Sequence, residues 1–399
     1  MPDSKPDTSP QSAALALLAL SLGSFCIGTT EFASMGILPL IVQDLRVSIP
    51  SAGHAISAYA IGVVAGAPLL TMAGARLHRR PFLLMLFAMF IVGNVLSALA
   101  PSIEWLILAR FLTGLPHGCY FGAGVVAGAH LVGKSRTGRA VSLILLGLTV
   151  ANIIGAPAAT FAGQMLGWRN TYLLVAFFGL IAFVCLWLWL PKSAALKGNA
   201  LSQELYGLKT PKAWFLLSII AIGTSSIFAV YTYIGPMVTD IAHMPSAMIP
   251  VALMTFGAGM TSGNLLGGYL ADKYQQKGIV IGFCCVLISL AIFGLTASSP
   301  WMLLICMFAI AFSSMLVVPS MQVQIMFSAP QAPTLMGALT HAAFNAANAL
   351  GAWLGGVTIA AGLGLVSPIW AGATMTLIGL VIFLSRRRIL PGAFGPKQQ

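Results

Sequence analysis

The sequence predicts an all-α integral membrane protein, and three observations carry that reading. Of 399 residues, 58% are hydrophobic and 7% charged, against about a quarter charged in soluble domains. Apolar runs near the 20 residues needed to cross a hydrocarbon layer follow one another almost end to end. They are continuous, without the short alternating segments of a membrane β-barrel.

Short polar breaks divide the chain into twelve expected helices, justified in order by the stretches that end them. The opening "MPDSKPDTSPQ" is polar and Pro-rich, so residues 1–12 read as a disordered tail. The apolar segment behind it is about 30 residues long, beyond the 7–15 of a cleavable signal core, and reads as a retained first span. The first six helices fall at 13–42, 51–73, 81–99, 102–130, 137–165 and 168–190, giving an N-terminal bundle over 13–190. The longest polar connection, "PKSAALKGNALSQELYGLKTPK", makes 191–212 a linker and a hinge. The next six fall at 213–240, 246–271, 278–297, 300–327, 332–362 and 366–385, a C-terminal bundle over 213–385 before the basic tail 386–399. Spans longer than 25 residues imply tilt.

The net charge of +12 is not spread evenly, which argues for membrane topology and against nucleic acid. Alternate loops carry Arg76, Arg79 and Arg80, then Lys134, Arg136 and Arg139, then Lys192, Lys197, Lys209 and Lys212, then Lys273 and Lys277, and finally Arg386, Arg387 and Arg388. The opposite side has Arg46 and Arg169. By the positive-inside rule both termini are cytoplasmic. The six cysteines (Cys26, Cys119, Cys185, Cys284, Cys285 and Cys306) lie in apolar segments without C-x-x-C spacing and read as small core residues, neither disulfides nor metal ligands.

The halves repeat. In helix 2 "GVVAGAPLLTMAGARLHRR" stands against "GAGMTSGNLLGGYLADKYQQK" of helix 8, Gly62 and Gly66 matching Gly259 and Gly263. "ANIIGAPAATFAG" of helix 5 stands against "ANALGAWLGGVTI" of helix 11 at nearly the same offset. Two such repeats around a central cavity are the general plan of a secondary transporter.

Several stretches carry a family resemblance: "TEFASMGILPLI", "SAGHAISAYAIGVVAGAPLL", "ARFLTGLPHGCYFG", "GLTVANIIGAP", "GWRNTYLL" and "YTYIGP". In this order and spacing the chain resembles the major facilitator superfamily, and within it the twelve-helix drug:proton antiporters (the DHA1 group), particularly the arabinose-efflux-permease and sugar-efflux-like branch. The resemblance implies a major-facilitator fold, twelve transmembrane helices in two pseudo-symmetric six-helix bundles. The loop after helix 2 is similar to the G-x-L-x-D-R-x-G-R-R signature but has Thr71, Ala75 and His78 at the first Gly, the Asp and the second Gly, keeping Arg76, Arg79 and Arg80; its second copy keeps Gly268, Leu270, Asp272 and Lys273. In the family this loop latches helices on the cytoplasmic face, so without the aspartate the first latch must be weaker or made differently. Helix 5 is similar to the antiporter motif, retaining Gly147, Gly155, Pro157 and Gly163, while Ala156, Ala159 and Thr160 depart from it. Small residues there allow close helix approach, and Pro157 bends the helix.

One acid stands inside a span. Asp3 and Asp7 lie in the tail, Glu204 and Asp272 in cytoplasmic loops, and Asp44, Glu104 and Asp240 near the opposite helix ends; Glu31 remains. A charge at the bilayer centre costs about 2.5–3.5 kcal/mol on insertion scales, so it faces protein or water and marks function. Its expected partner is Arg110, with His117 two turns along the same face; depths come to ~12 Å for Arg110, ~18 Å for Glu31 and ~22 Å for His117. The family resemblance implies the same two positions, an acid on helix 1 and an arginine on helix 4, in a cavity lined by helices 1, 4, 7 and 10. A structural ion pair is the plain alternative. Further cavity candidates are Phe32, Tyr59, Tyr120, Tyr231, Tyr233, Gln322, His341 and Asn345, each of which could equally serve helix packing.

The expected function is proton-coupled antiport that exports a small molecule, sugar, drug or metabolite, from the cytoplasmic (inner) membrane, with no cofactor, no metal, a lipid bilayer as surroundings and a monomeric chain. A proton- or ion-coupled importer is the alternative. A membrane-embedded enzyme would need a metal cluster, a nucleophile constellation or paired acids, and neither H-E-x-x-H nor G-x-x-x-x-G-K-[ST] occurs.

Overall fold

Long apolar stretches must satisfy their backbone internally, and they do so as helices. The computed structural model describes residues 10–47, 49–133, 136–192, 200–245, 248–274 and 276–389, and no strand occurs among them. Asp3, Asp7, Lys134, Lys197 and the tail beyond Ile389 lie outside the described residues.

The first span is α1 (Pro10–Gly36) followed by α2 (Leu38–Leu45), with a break at Ile37 ahead of Pro39. Next come α3 (Ile49–Ala73), α4 (Arg79–Ala98) and α5 (Ile103–Val132). The fifth span is α6 (Thr137–Val150) and α7 (Ala156–Leu166), joined by a π-helical turn at Ala151–Gly155. There the Ala156 N–H reaches back to the Ala151 carbonyl, immediately before Pro157, which has no N–H to give. The sixth is α8 (Trp168–Trp189).

A short helix, α9 (Leu201–Leu208), then interrupts the linker. The seventh span is segmented into α10 (Pro211–Gly223), α11 (Ser225–Thr232), α12 (Ile234–Pro236) and a π-helical turn Met237–Ile241. The rest are α13 (Ile249–Lys273), α14 (Gln276–Thr296), α15 (Pro300–Ser328), α16 (Pro333–Ala360) and α17 (Ser367–Leu384), with a terminal turn α18 (Arg386–Ile389).

Ten described helices or helix runs have both the length and the apolarity of a membrane span. The other two of the expected twelve, α5 and α16, have the length, 30 and 28 residues. They fall short in apolarity because they are rich in glycine and carry Arg110 and His117, or His341 and Asn345. The polar load that weakens their hydropathy is the load placed at the candidate site.

The chain forms two compact units, Met1–Tyr206 with Gln331–Ala342, and Gly207–Pro330 with Ala343–Gln399. Each contains the same close helix crossing. In unit 1, a Cβ on Gly62 or Gly66 of α3 would stand 2.3 Å or 2.0 Å from the Phe111 or Leu115 carbonyl of α5. In unit 2, a Cβ on Gly259 or Gly263 of α13 would stand 2.3 Å or 2.1 Å from the Phe308 or Phe312 carbonyl of α15. All four residues of one crossing lie 197 positions before their counterparts in the other, so the sequence repeat is a repeat of backbone packing. Only glycine permits so close an approach.

Two expectations are corrected. Glu204 does not lie in a loop: it is on α9 and fully buried, with Arg79, itself 1% exposed, supplying a compensating charge at 3.4 Å. Cys284 is not a core residue: it is exposed on the surface of α14, while Cys26, Cys119 and Cys306 are buried and all six thiols are free.

Candidate functional site

The site in unit 1 is built on α5. Its start is fixed by Ser102, whose hydroxyl accepts the Trp105 N–H at 3.4 Å, with Glu104 in the first turn; both favour a helix N-terminus. Two turns into the helix, Arg110 is buried, 1% exposed.

The guanidinium of Arg110 does not pair with Glu31, which corrects the expected partnership. Its Nη1 donates to the Thr30 hydroxyl at 3.1 Å and its Nη2 to the Thr30 carbonyl at 3.2 Å. The Thr30 hydroxyl in turn donates to Asn94 Oδ1 at 2.6 Å, and Asn94 Nδ2 donates to the Phe90 carbonyl at 2.9 Å. The ring of Tyr59 lies 4.4 Å and that of Tyr172 5.3 Å from the guanidinium carbon. A delocalised cation between aromatic faces, held by two fixed acceptors, has one place to sit.

Glu31 is the next residue along α1 and is partly exposed. Among the described residues its carboxyl makes no hydrogen bond or ion pair, and the Arg110 charge acts on it through space. The Tyr59 hydroxyl bonds His117 Nδ1 at 2.9 Å. His117 is 2% exposed. Its ring is 5.5 Å from that of His341 and 5.2 Å from that of Phe121, and Phe121 stacks on His341 at 4.0 Å. A partly exposed carboxyl, a held cation and two buried imidazoles thus lie within unit 1.

Of the other expected residues, Phe32 is partly buried on α1. Tyr120 is fully buried, its hydroxyl donating to the Leu20 carbonyl at 2.9 Å. Unit 2 holds the remainder. Tyr231 packs on Phe256, and Tyr233 donates to the Ala352 carbonyl at 2.8 Å. Asn345 is 6% exposed; Gln322 is fully buried, with neither amide atom bonded among the described residues.

The helix 5 motif packs against α1: a Cβ on Gly147 would meet the Ser21 carbonyl at 1.8 Å, and Gly155 faces Thr29 across the π-helical turn that precedes Pro157. Gly163 abuts Thr171. In the loop positions Arg76 is exposed, Arg80 bonds the Trp187 carbonyl, Asp272 is partly buried, and Lys273 donates to the Tyr269 hydroxyl at 3.0 Å. No group of three metal-ligating side chains occurs among the described residues.

Sequence reasoning missed Thr30, Asn94 and Tyr172. Asn94 was findable, being an amide alone in the apolar run of α4. Thr30 was not: a threonine in a span normally bonds its own helix, and nothing in the sequence shows an arginine reaching it.

Comparison with known proteins completes the description. The family model described as Major Facilitator Superfamily matches residues 20–340 and 220–399. The inner membrane transport protein YdhP of Escherichia coli (strain K12) is 42% identical over 375 residues, covering 93% of this chain and 96% of that protein. The chloramphenicol resistance protein of Streptomyces lividans is 30% identical over 383 residues, covering 95% and 98%. Among solved structures, the proton:xylose symporter XylE bound to 6-bromo-6-deoxy-D-glucose superposes with a TM-score of 0.74 at 15% identity, over 95% of this chain and 96% of that one. The last comparison establishes the fold.

Proposed function

Because this chain belongs to the Major Facilitator Superfamily, and so is a multi-pass membrane transporter, we propose that it is a proton-coupled antiporter exporting a small molecule by alternating access. The observation that carries the reading is the separation of Glu31 from Arg110. An acid locked in an ion pair would stay ionised and serve packing. Here the cation is held by Thr30, leaving Glu31 partly exposed and without a bonded partner among the described residues.

Glu31 takes a proton when the cavity faces the outer side and gives it up inward as substrate leaves. Competition of proton and substrate for one cavity is the coupling, and each ligand shifts the conformational equilibrium only by its differential affinity. Arg110 holds a constant charge beside the acid. His117 and Tyr59 form the neighbouring hydrogen-bonded pair through which the protonation of Glu31 is felt at His341.

The chloramphenicol resistance name of one relative and the antiporter-like glycines of helix 5 support export over import. In this reading both termini are cytoplasmic, as the loop arginines and lysines suggest, and residues 13–190 and 213–385 are the two moving halves of a monomer. An efflux and counterflow screen of drugs, sugars and metabolites in everted vesicles, with Glu31→Gln as control, tests the reading. Gradient-driven movement of a substrate that Glu31→Gln strongly reduces is expected; transport indifferent to the proton gradient overturns it.

A further inference from the structure

The loop between α3 and α4 lacks the acid that the resembled signature carries, and the position that would hold it, Ala75, is buried at 1% exposure. A carboxylate nevertheless reaches this end of unit 1, from α9. Glu204 is 0% exposed. Its Oε1 takes Nη2 of Arg79, the first residue of α4, at 3.4 Å. Its Oε2 accepts the Leu335 N–H at 3.2 Å.

Leu335 lies in the first turn of α16, where amides have no partner inside the helix and the helix end is positive. One side chain therefore neutralises a buried cation and caps a helix start. Beside this contact the backbones are already close: a Cβ on Gly337 would stand 2.6 Å from Gly122 Cα, and one on Gly122 would stand 2.3 Å from the Thr334 carbonyl. Residues Gln331–Ala342 accordingly belong to unit 1. Two turns past Leu335 the same helix delivers His341 onto Phe121.

We propose that Glu204 is a positioning residue of the transporter: the acid that pins the start of α16 comes from the linker helix α9, and by pinning it sets where His341 meets the Tyr59–His117 pair. The linker is then part of the mechanism, and its displacement frees the α16 start from unit 1. The inference stands on the Arg79–Glu204–Leu335 geometry and does not depend on proton coupling, so its test reads no transport.

Thr334, 0% exposed, is the reporter. The full chain carrying Thr334→Cys in lipid nanodiscs is labelled with a polar maleimide, with the parent chain as the background for its own cysteines. Adding Glu204→Gln is expected to raise the labelling rate on the order of tenfold, the effect of moving the closed equilibrium by one decade. Glu204→Asp, which keeps the charge, is expected to remain within about twofold of the parent reporter. Arg79→Gln with Glu204→Gln removes both charges, leaves no buried cation to unfold the chain, and should label as fast as Glu204→Gln. Unchanged labelling in the neutral variants, or equal rates for Glu204→Asp and Glu204→Gln, overturns the proposal.

Discussion

The two units share a skeleton and differ in what they bury. The α3–α5 crossing of unit 1 and the α13–α15 crossing of unit 2 place glycine against the same carbonyl positions. At that common offset of 197 the site residues of unit 1 correspond in sequence to apolar or small residues of unit 2: Met307 for Arg110, Ser314 for His117 and Phe256 for Tyr59. α11, in the span of unit 2 that corresponds to α1, carries no acid or base apart from Tyr231. The repeat keeps the packing that lets helices approach, while among the described residues Glu31, Arg110, His117 and His341 all sit in unit 1. Backbone contact at glycine has few solutions, whereas a buried charge is expensive and needs only one home.

Exchanging the counterparts should break this asymmetry most severely. Met307 is fully buried, and Met307→Arg puts a cation where no Thr30–Asn94 chain awaits it. A loss of about 3–5 kcal/mol is expected, read as a collapse of the thermal unfolding temperature in detergent. The reverse change, Arg110→Met, should cost less than ~1 kcal/mol, because a well-packed apolar residue can replace a buried ion and the Thr30 carbonyl still accepts from Ser34 Oγ at 2.7 Å. It should abolish transport all the same.

The shared skeleton predicts equality. Gly66→Ala and Gly263→Ala each drive a methyl into a carbonyl, at 2.0 Å and 2.1 Å, and should cost about 1–3 kcal/mol apiece by overpacking. Unfolding curves that differ widely between the two variants would show that the crossings are not equivalent.

The smallest effect lies outside the spans. Asp44 bonds Arg169 and the Trp168 indole, the latter at 3.0 Å, and Arg169 first and then Trp168 lower its carboxyl below the usual range. A lowered folded-state value means that the contribution is complete above the unfolded value, near pH 4, and is lost as pH falls through the folded one. The pair is largely exposed, so no more than about 1 kcal/mol is at stake. Asp44→Asn should flatten the acid limb of stability against pH: it lowers neutral stability by no more than about 1 kcal/mol, and the difference from the parent closes as pH falls below 4.

Much of this was legible in the sequence. Composition and span spacing gave the helical membrane class, Gly62 and Gly66 gave the repeat, and counting acids left Glu31. The Glu31–Arg110 pairing was misjudged because depth along a span does not tell which acceptor a long, flexible arginine chooses, and Thr30 offers two at once. Glu204 was misplaced because eight residues in a polar linker give little sign of burial; its partners Arg79 and Leu335 are distant in sequence.

The central claim is that Glu31 carries the coupling proton and does not hold the fold together. Counterflow of a transported substrate needs alternating access without a proton gradient, so both activities are measured for Glu31→Gln in the same vesicles. The account predicts that gradient-driven transport falls about 5- to 150-fold, the usual span of a coupling free energy, while counterflow persists near the parent rate. Gradient-driven transport that survives in Glu31→Gln, or a loss of both activities together, would contradict it.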